Sequence, residues 1–123
     1  MVFDVPPDLV IESDPALLRE ILANLFSNAV DHTPAGGEIN VAAHLTSGTF
    51  SLSVSNTVQA LDTADVEKMF DRFWRKEASR SDDDHAGLGL ALARIYAHAL
   101  GWELEATLDN TPRLTFTLGN RQA

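Results

Sequence analysis

Cysteine is absent from all 123 residues. That excludes a disulfide framework, a thiolate metal site and a cysteine nucleophile, and it leans the redox compartment toward the cytoplasm. No apolar run approaches the roughly 20 residues that span a bilayer, and the opening MVFDVPPDLV lacks the charged start and long apolar segment of a signal peptide. Basic residues are scarce, nine against eighteen acidic ones for a net charge of -9, which argues against a nucleic-acid backbone or an anionic membrane as the main partner. An anionic ligand would need a locally built site of helix-start N–H groups, a metal ion and a few placed Arg or Lys side chains. What the chain does have is 45% hydrophobic residues, enough for one domain over 1–123 with a core of its own.

Residues 8–12, DLVIE, read as a short strand, and Ser13-Asp14-Pro15 then offers a cap followed by a proline suited to a first helical turn. The helix runs to about Thr33, with Leu17, Leu18, Ile21, Leu22, Leu25, Phe26, Ala29 and Val30 forming an apolar stripe. Glu38 to Leu45 and Thr49 to Asn56 alternate as a hairpin around Ser47-Gly48, with Phe50, Leu52 and Val54 on one face. A short helix capped by Thr63 leads to FDRFWR at 70–75, and the polar stretch Lys76 to His85 reads as a mobile surface segment. Leu90 to Leu100 is helical through Leu92, Ile95, Tyr96 and Ala99 and stops at Gly101. Trp102 to Leu108 and Arg113 to Leu118 are two more strands. Short turns between strand pairs demand antiparallel pairing, so the expected fold is an α+β two-layer sandwich, a mixed and largely antiparallel sheet packed on about three helices.

Three stretches could carry chemistry. Asn24 and Asn28 lie mid-helix, where asparagine costs roughly 1 kcal/mol for the pair relative to alanine. Their carbonyls suit a magnesium ion already carrying phosphate oxygens; on helix pattern alone, bonding to solvent or a loop is the plainer reading. Gly87-Leu88-Gly89 before a helix would let backbone N–H groups approach a triphosphate, and a plain loop-to-helix turn fits equally. No strand leads tightly into these glycines and no G-K-[ST] follows, which rules out Rossmann and P-loop readings. Phe70, Phe73 and Trp74 look like an aromatic anchor, after which Arg75, Lys76 and Arg80 could reach phosphate; singly, each basic residue reads as a surface charge.

Taken in order, these stretches resemble the ATP-binding catalytic domain of sensor histidine kinases, a branch of the ATPase group that includes DNA gyrase, Hsp90 and MutL. SDPALLREILANLFSNAVDHTP is similar to the family's N box, FDRFWR to its F box, and AGLGLALARIYAHALG to its second glycine box. The resemblance implies the Bergerat sandwich of that group, with ATP and Mg2+ held between the long helix, the lid and the second glycine box. It implies Asn28 as magnesium ligand, Asn24 beside it, Glu20 as the acid that orients or deprotonates the incoming nucleophile, and Arg75, Lys76, Arg80, Gly87, Leu88 and Gly89 around the phosphates. Asp31 and His32 stand where the family often has lysine and tyrosine, and His85 where a first glycine is common.

The main departure is the first glycine box. Counting back from Phe70, NTVQA at 56–60 matches Asp-x-Gly-x-Gly, so Asn56 replaces the aspartate that accepts from the adenine amino group, and Val58 and Ala60 replace glycines. A neutral acceptor is weaker than a charged one, and valine tolerates positive φ poorly, so an altered adenine pocket and weakened nucleotide binding are expected. The resemblance further implies a phosphoacceptor histidine on a separate dimerisation domain absent from this chain, a cognate response regulator, and no self-phosphorylation. His32, His44, His85 and His98 all fall within ATP-domain motifs or strands. The expected setting is a monomeric module in the cytoplasm, free or as the cytoplasmic part of a membrane-anchored sensor. Its rivals are a degenerate regulatory domain, favoured by the eroded glycine box, and an anti-sigma-factor serine kinase, disfavoured by FDRFWR.

Overall fold

Asp14 starts the long helix as expected. Its carboxylate accepts from the N–H groups of Ala16 at 2.9 Å and Leu17 at 3.1 Å, and Pro15, which has no N–H to satisfy, takes the first helical position. The structure, a computed structural model, describes residues 2–5, 13–46, 48–59, 61–71 and 89–120. Within them lie β1 (Val2–Asp4), α1 (Pro15–His32), β2 (Ile39–Thr46), β3 (Thr49–Thr57), α2 (Thr63–Lys68), α3 (Gly89–Ala99), β4 (Trp102–Asp109) and β5 (Arg113–Asn120). The strand expected at 8–12 falls outside the described residues.

The sheet runs β1-β2-β3-β5-β4, with β1 parallel to β2 and every other pair antiparallel. Strand alternation decides its faces. Phe50, Leu52, Val54 and Val58 of β3 and the residue after it, Leu114, Phe116 and Leu118 of β5, and Trp102 and Leu104 of β4 are buried in one cluster with Ile21, Leu25 and Ala29 of α1. Ser51, Ser53 and Ser55 occupy the opposite face of β3. The result is the α+β two-layer sandwich, with its core between the sheet and the helices. Gly48 and Gly101 adopt φ of 80° and 81° at the hairpin turn and at the stop of α3, positions that favour glycine because it has no Cβ to clash.

Three local expectations are corrected. The cap of α2 is Asp62, whose carboxylate accepts from the Asp65 N–H at 3.0 Å while the Asp65 carboxylate accepts from the Asp62 N–H at 3.0 Å, a reciprocal pair that Thr63 cannot form from its place inside the helix. On α3 the buried residues are Ala91, Ala93 and Ala97, whereas Leu92, Ile95 and Ala99 face outward. Small side chains let α3 lie close to α1 and β4, and close approach here outweighs the bulk of the leucine and isoleucine. At the end of the α1 stripe, Val30 is 58% exposed.

Candidate functional site

At about 100° per residue, Glu20, Asn24, Asn28 and Asp31 fall within an arc of roughly 80° on α1, beside the stripe that buries Ile21, Leu25 and Ala29. Glu20 and Asp31 are exposed, as is His32 in the last turn, and the two asparagines are half-buried. Asn28 Nδ2 is buried with no hydrogen-bond partner among the described residues. With the nitrogen turned inward, the carbonyl oxygen is the end of the amide left for an external cation. That is the atom type magnesium takes, so Asn28 fits the ion. No group of three or more His, Asp or Glu among the described residues could hold a metal alone, so such an ion would need ligands brought by its guest.

Asn56 is the polar member of an apolar row. It is fully buried between Val54 and Val58 along the core face and pairs in register with Ile39 on β2 and Leu114 on β5. Its Nδ2 donates to the Thr57 carbonyl at 3.0 Å, and its Oδ1 has no partner among the described residues. Val58, standing where the resemblance expects glycine, is 3% exposed and donates its N–H to the Pro112 carbonyl at 3.3 Å. The chain therefore continues along the sheet past Asn56 and puts an isopropyl group into the core.

Topology carries these residues to one end of the sheet. Because β1 and β2 are parallel, α1 must run back across the sheet between them, and its C-terminal half finishes where β2 begins. Asn56, paired with Ile39 at the start of β2, lies at that same end. The turn after α1 touches it directly. Thr57 donates its N–H to the Glu38 carbonyl at 3.0 Å, and a Cβ added to Gly37 would come within 3.2 Å of the Thr57 Cβ. α3 reverses at Gly101 into β4, whose first residue pairs with Asn120 at the far end, so the N-terminal turn of α3, from Gly89, also points to the end holding Asn28 and Asn56. Gly89 is half-buried.

Phe70 anchors the edge of this region. Its ring meets Phe116 edge-on at 5.9 Å between centroids, and the Arg94 guanidinium carbon lies 3.7 Å from its centre. Arg94 also donates through Nη2 to the Leu104 carbonyl at 3.2 Å. Sequence reasoning missed this residue, since an arginine inside a helical pattern reads as a surface charge. Arg75, Lys76, Arg80, Gly87, Leu88, Ala60, His85, and Phe73 and Trp74 of the aromatic anchor lie outside the described residues.

Comparison with known proteins identifies the family. Residues 13–121 match the family of histidine kinase-, DNA gyrase B- and HSP90-like ATPases. The chain is 35% identical over 111 residues to sensor protein VanSB of Enterococcus faecalis, covering 88% of this chain and 25% of that protein. It is 34% identical over 99 residues to the adaptive-response sensory kinase SasA of Trichormus variabilis, covering 77% and 24%. It thus spans about a quarter of these relatives' length. Among solved structures, the catalytic domain of histidine kinase ThkA superposes with a TM-score of 0.79 at 23% identity over 97% of this chain and 76% of that one. Full-length ShkA in complex with AMPPNP gives 0.79 at 25% identity over 97% of this chain and 25% of that one.

Proposed function

This chain belongs to the histidine kinase-, DNA gyrase B- and HSP90-like ATPases, and from that premise we propose that it is the ATP-binding catalytic module of a sensor histidine kinase. It positions Mg-ATP for transfer of the γ-phosphoryl group to a histidine on a separate dimerisation domain of the same kinase, from which a cognate response regulator receives it. The observation that carries the reading is Asn56 Oδ1, a buried acceptor with no donor among the described residues, at the end of the sheet where α1 finishes. Buried polar atoms without partners are rare in folded proteins, and a bound guest is one of the few explanations. The nucleotide analogue held by the similarly folded ShkA supports the choice of guest.

In this reading Asn28, with Asn24 one turn away, faces the phosphate side, where its neutral carbonyl adds a ligand without adding charge. The magnesium ion, when bound, neutralises charge on the phosphate oxygens. Gly87, Leu88 and Gly89 offer backbone N–H groups at the helix start, and Arg75, Lys76 and Arg80 offer cations to the same oxygens. Asp31 and His32 close the phosphate side at the end of α1. Glu20, exposed two turns before Asn28, meets the incoming imidazole and orients or deprotonates it. Asn56 accepts from the base. Catalysis is then mostly positioning, with the nucleophile supplied by the partner.

Among the described residues no helix is long and apolar enough to cross a membrane. The deciding experiment is a calorimetric titration of ATP with and without magnesium, for wild type and Asn28→Ala. Magnesium-dependent binding that the variant loses is expected. No binding under any condition would refute the reading in favour of a degenerate regulatory domain, which the burial of Val58 would then explain.

A further inference from the structure

Asp31 places a negative charge where a polyphosphate is hardest to hold. It lies exposed in the last turn of α1, three residues beyond Asn28, at the negative pole of the helix dipole. The cations of the described residues do not offset it. Arg19 projects from α1 roughly 180° round the helix from Asn28. Arg94 is held over Phe70, Arg113 lies 3.6 Å from Glu38, and Lys68 ends α2, which packs on the edge strand β4. Among the described residues, phosphate beside Asp31 therefore meets a carboxylate with no arginine or lysine to match it.

Residues three apart on a helix stand about 5–6 Å apart at Cβ, and pairs at this spacing hold metal ions in helical proteins. Asn28 turns Nδ2 inward, buried with no partner among the described residues, and so leaves Oδ1 on the open side. We propose that Asp31 is a second protein ligand of the magnesium ion beside Asn28, so that the end of α1 accepts nucleotide as its metal complex and repels the metal-free form. The proposal rests on the nucleotide reading above. A carbonyl and a carboxylate are both hard oxygen donors, and the pair leaves the remaining positions of an octahedral ion to phosphate oxygens and water. With the ion in place the Asp31 charge attracts. Without it the same charge faces phosphate at close range.

The test is a calorimetric titration of ATP into wild type and Asp31→Asn, each in excess magnesium and in EDTA. Asparagine keeps the size of the side chain and removes its charge. In magnesium, Asp31→Asn binds ATP about tenfold more weakly, the scale of losing one support of a bound metal. In EDTA it binds no more weakly than wild type, and about threefold more tightly where the lost like charge is felt in full. A loss confined to magnesium establishes the ligand. Equal or tighter binding in magnesium overturns the proposal and leaves the nucleotide reading intact, because Asp31 is then only a repelling surface charge. Weaker binding in both conditions also overturns it, since a metal ligand has nothing to hold in EDTA. Where binding in EDTA is below detection, the direction in magnesium decides. Failure of wild type to bind ATP in either condition overturns the nucleotide reading and the proposal together.

Discussion

Replacing Arg94 by methionine tests how the α3 side of the site is held. The guanidinium stacks 3.7 Å from the centre of Phe70 and donates to the Leu104 carbonyl at 3.2 Å. β4 is an edge strand, so the hydrogen bond also covers a backbone oxygen at the sheet margin. A half-buried cation over an aromatic face contributes about 1 kcal/mol, and the long charge-assisted hydrogen bond about another. Methionine keeps the packing of the arginine stem, which confines the loss to these two contacts. Arg94→Met should cost about 2 kcal/mol, or about 6–10 °C in melting temperature for a chain of this size. Urea denaturation is the assay. Phe70→Leu removes the ring while keeping apolar bulk, and the double variant should return a coupling of about 1 kcal/mol. A single variant within about 0.5 kcal/mol of wild type, or strictly additive effects, would refute the stacking argument.

Other substitutions probe separate elements. Leu25→Ala empties a fully buried position under α1 and should cost about 2–5 kcal/mol, read as a lower urea midpoint at unchanged slope. Asp62→Ala removes the carboxylate that accepts from the Asp65 N–H and keeps the backbone N–H that donates to the Asp65 carboxylate, at a cost of about 1 kcal/mol, and a melting temperature equal to wild type would count against the Asp62 cap. Gly37→Ala brings a Cβ to 2.8 Å from Thr33 Cγ2 and 3.0 Å from the Pro34 carbonyl, so about 1–3 kcal/mol of strain is expected, with weaker nucleotide binding because the same turn touches Thr57. The Asp109 carboxyl is held below its ordinary value, first by the Thr111 hydroxyl and then by the Thr111 N–H, with Arg113 adding smaller contributions against a small opposing cost of desolvation. Its contribution to stability is present above the unfolded pKa and fades as pH falls through the lower folded one. The difference between wild type and Asp109→Ala should therefore shrink on acidification below about pH 4.

Most of the architecture was legible because it follows from local chemistry. Asp14 before Pro15 announces a helix start, and the alternation at 50–54 sorts the two faces of β3 without any tertiary information. What escaped depends on fit between elements. Ala93 and Ala97 give little hydrophobic signal, yet they are the residues buried where α3 meets its neighbours, while Ile95, with the stronger signal, is 51% exposed. β1 is only three residues long, too short for a period to show. Of the candidate site, Asn24 and Asn28 stand out as polar residues inside a helical pattern, and Asn56 is reached through the family resemblance, counting back from Phe70. The partner of the Asn56 amide could not be found in the sequence, since it is the carbonyl of the next residue and depends on how the backbone turns there.

The pairing pattern also has a kinetic meaning. β2 with β3, and β4 with β5, are hairpins whose first pairs, Thr46 with Thr49 and Asp109 with Arg113, are near neighbours in sequence. Hairpins of this kind zip in about 1–10 μs. The β3–β5 seam joins Thr57 to Arg113 and Ser51 to Gly119, so it must close a long loop and comes late. Asn56 lies on one lip of that seam and Leu114 on the other. That seam is therefore the least local join of the sheet, and a ligand bound across it would slow unfolding by holding the two hairpins together.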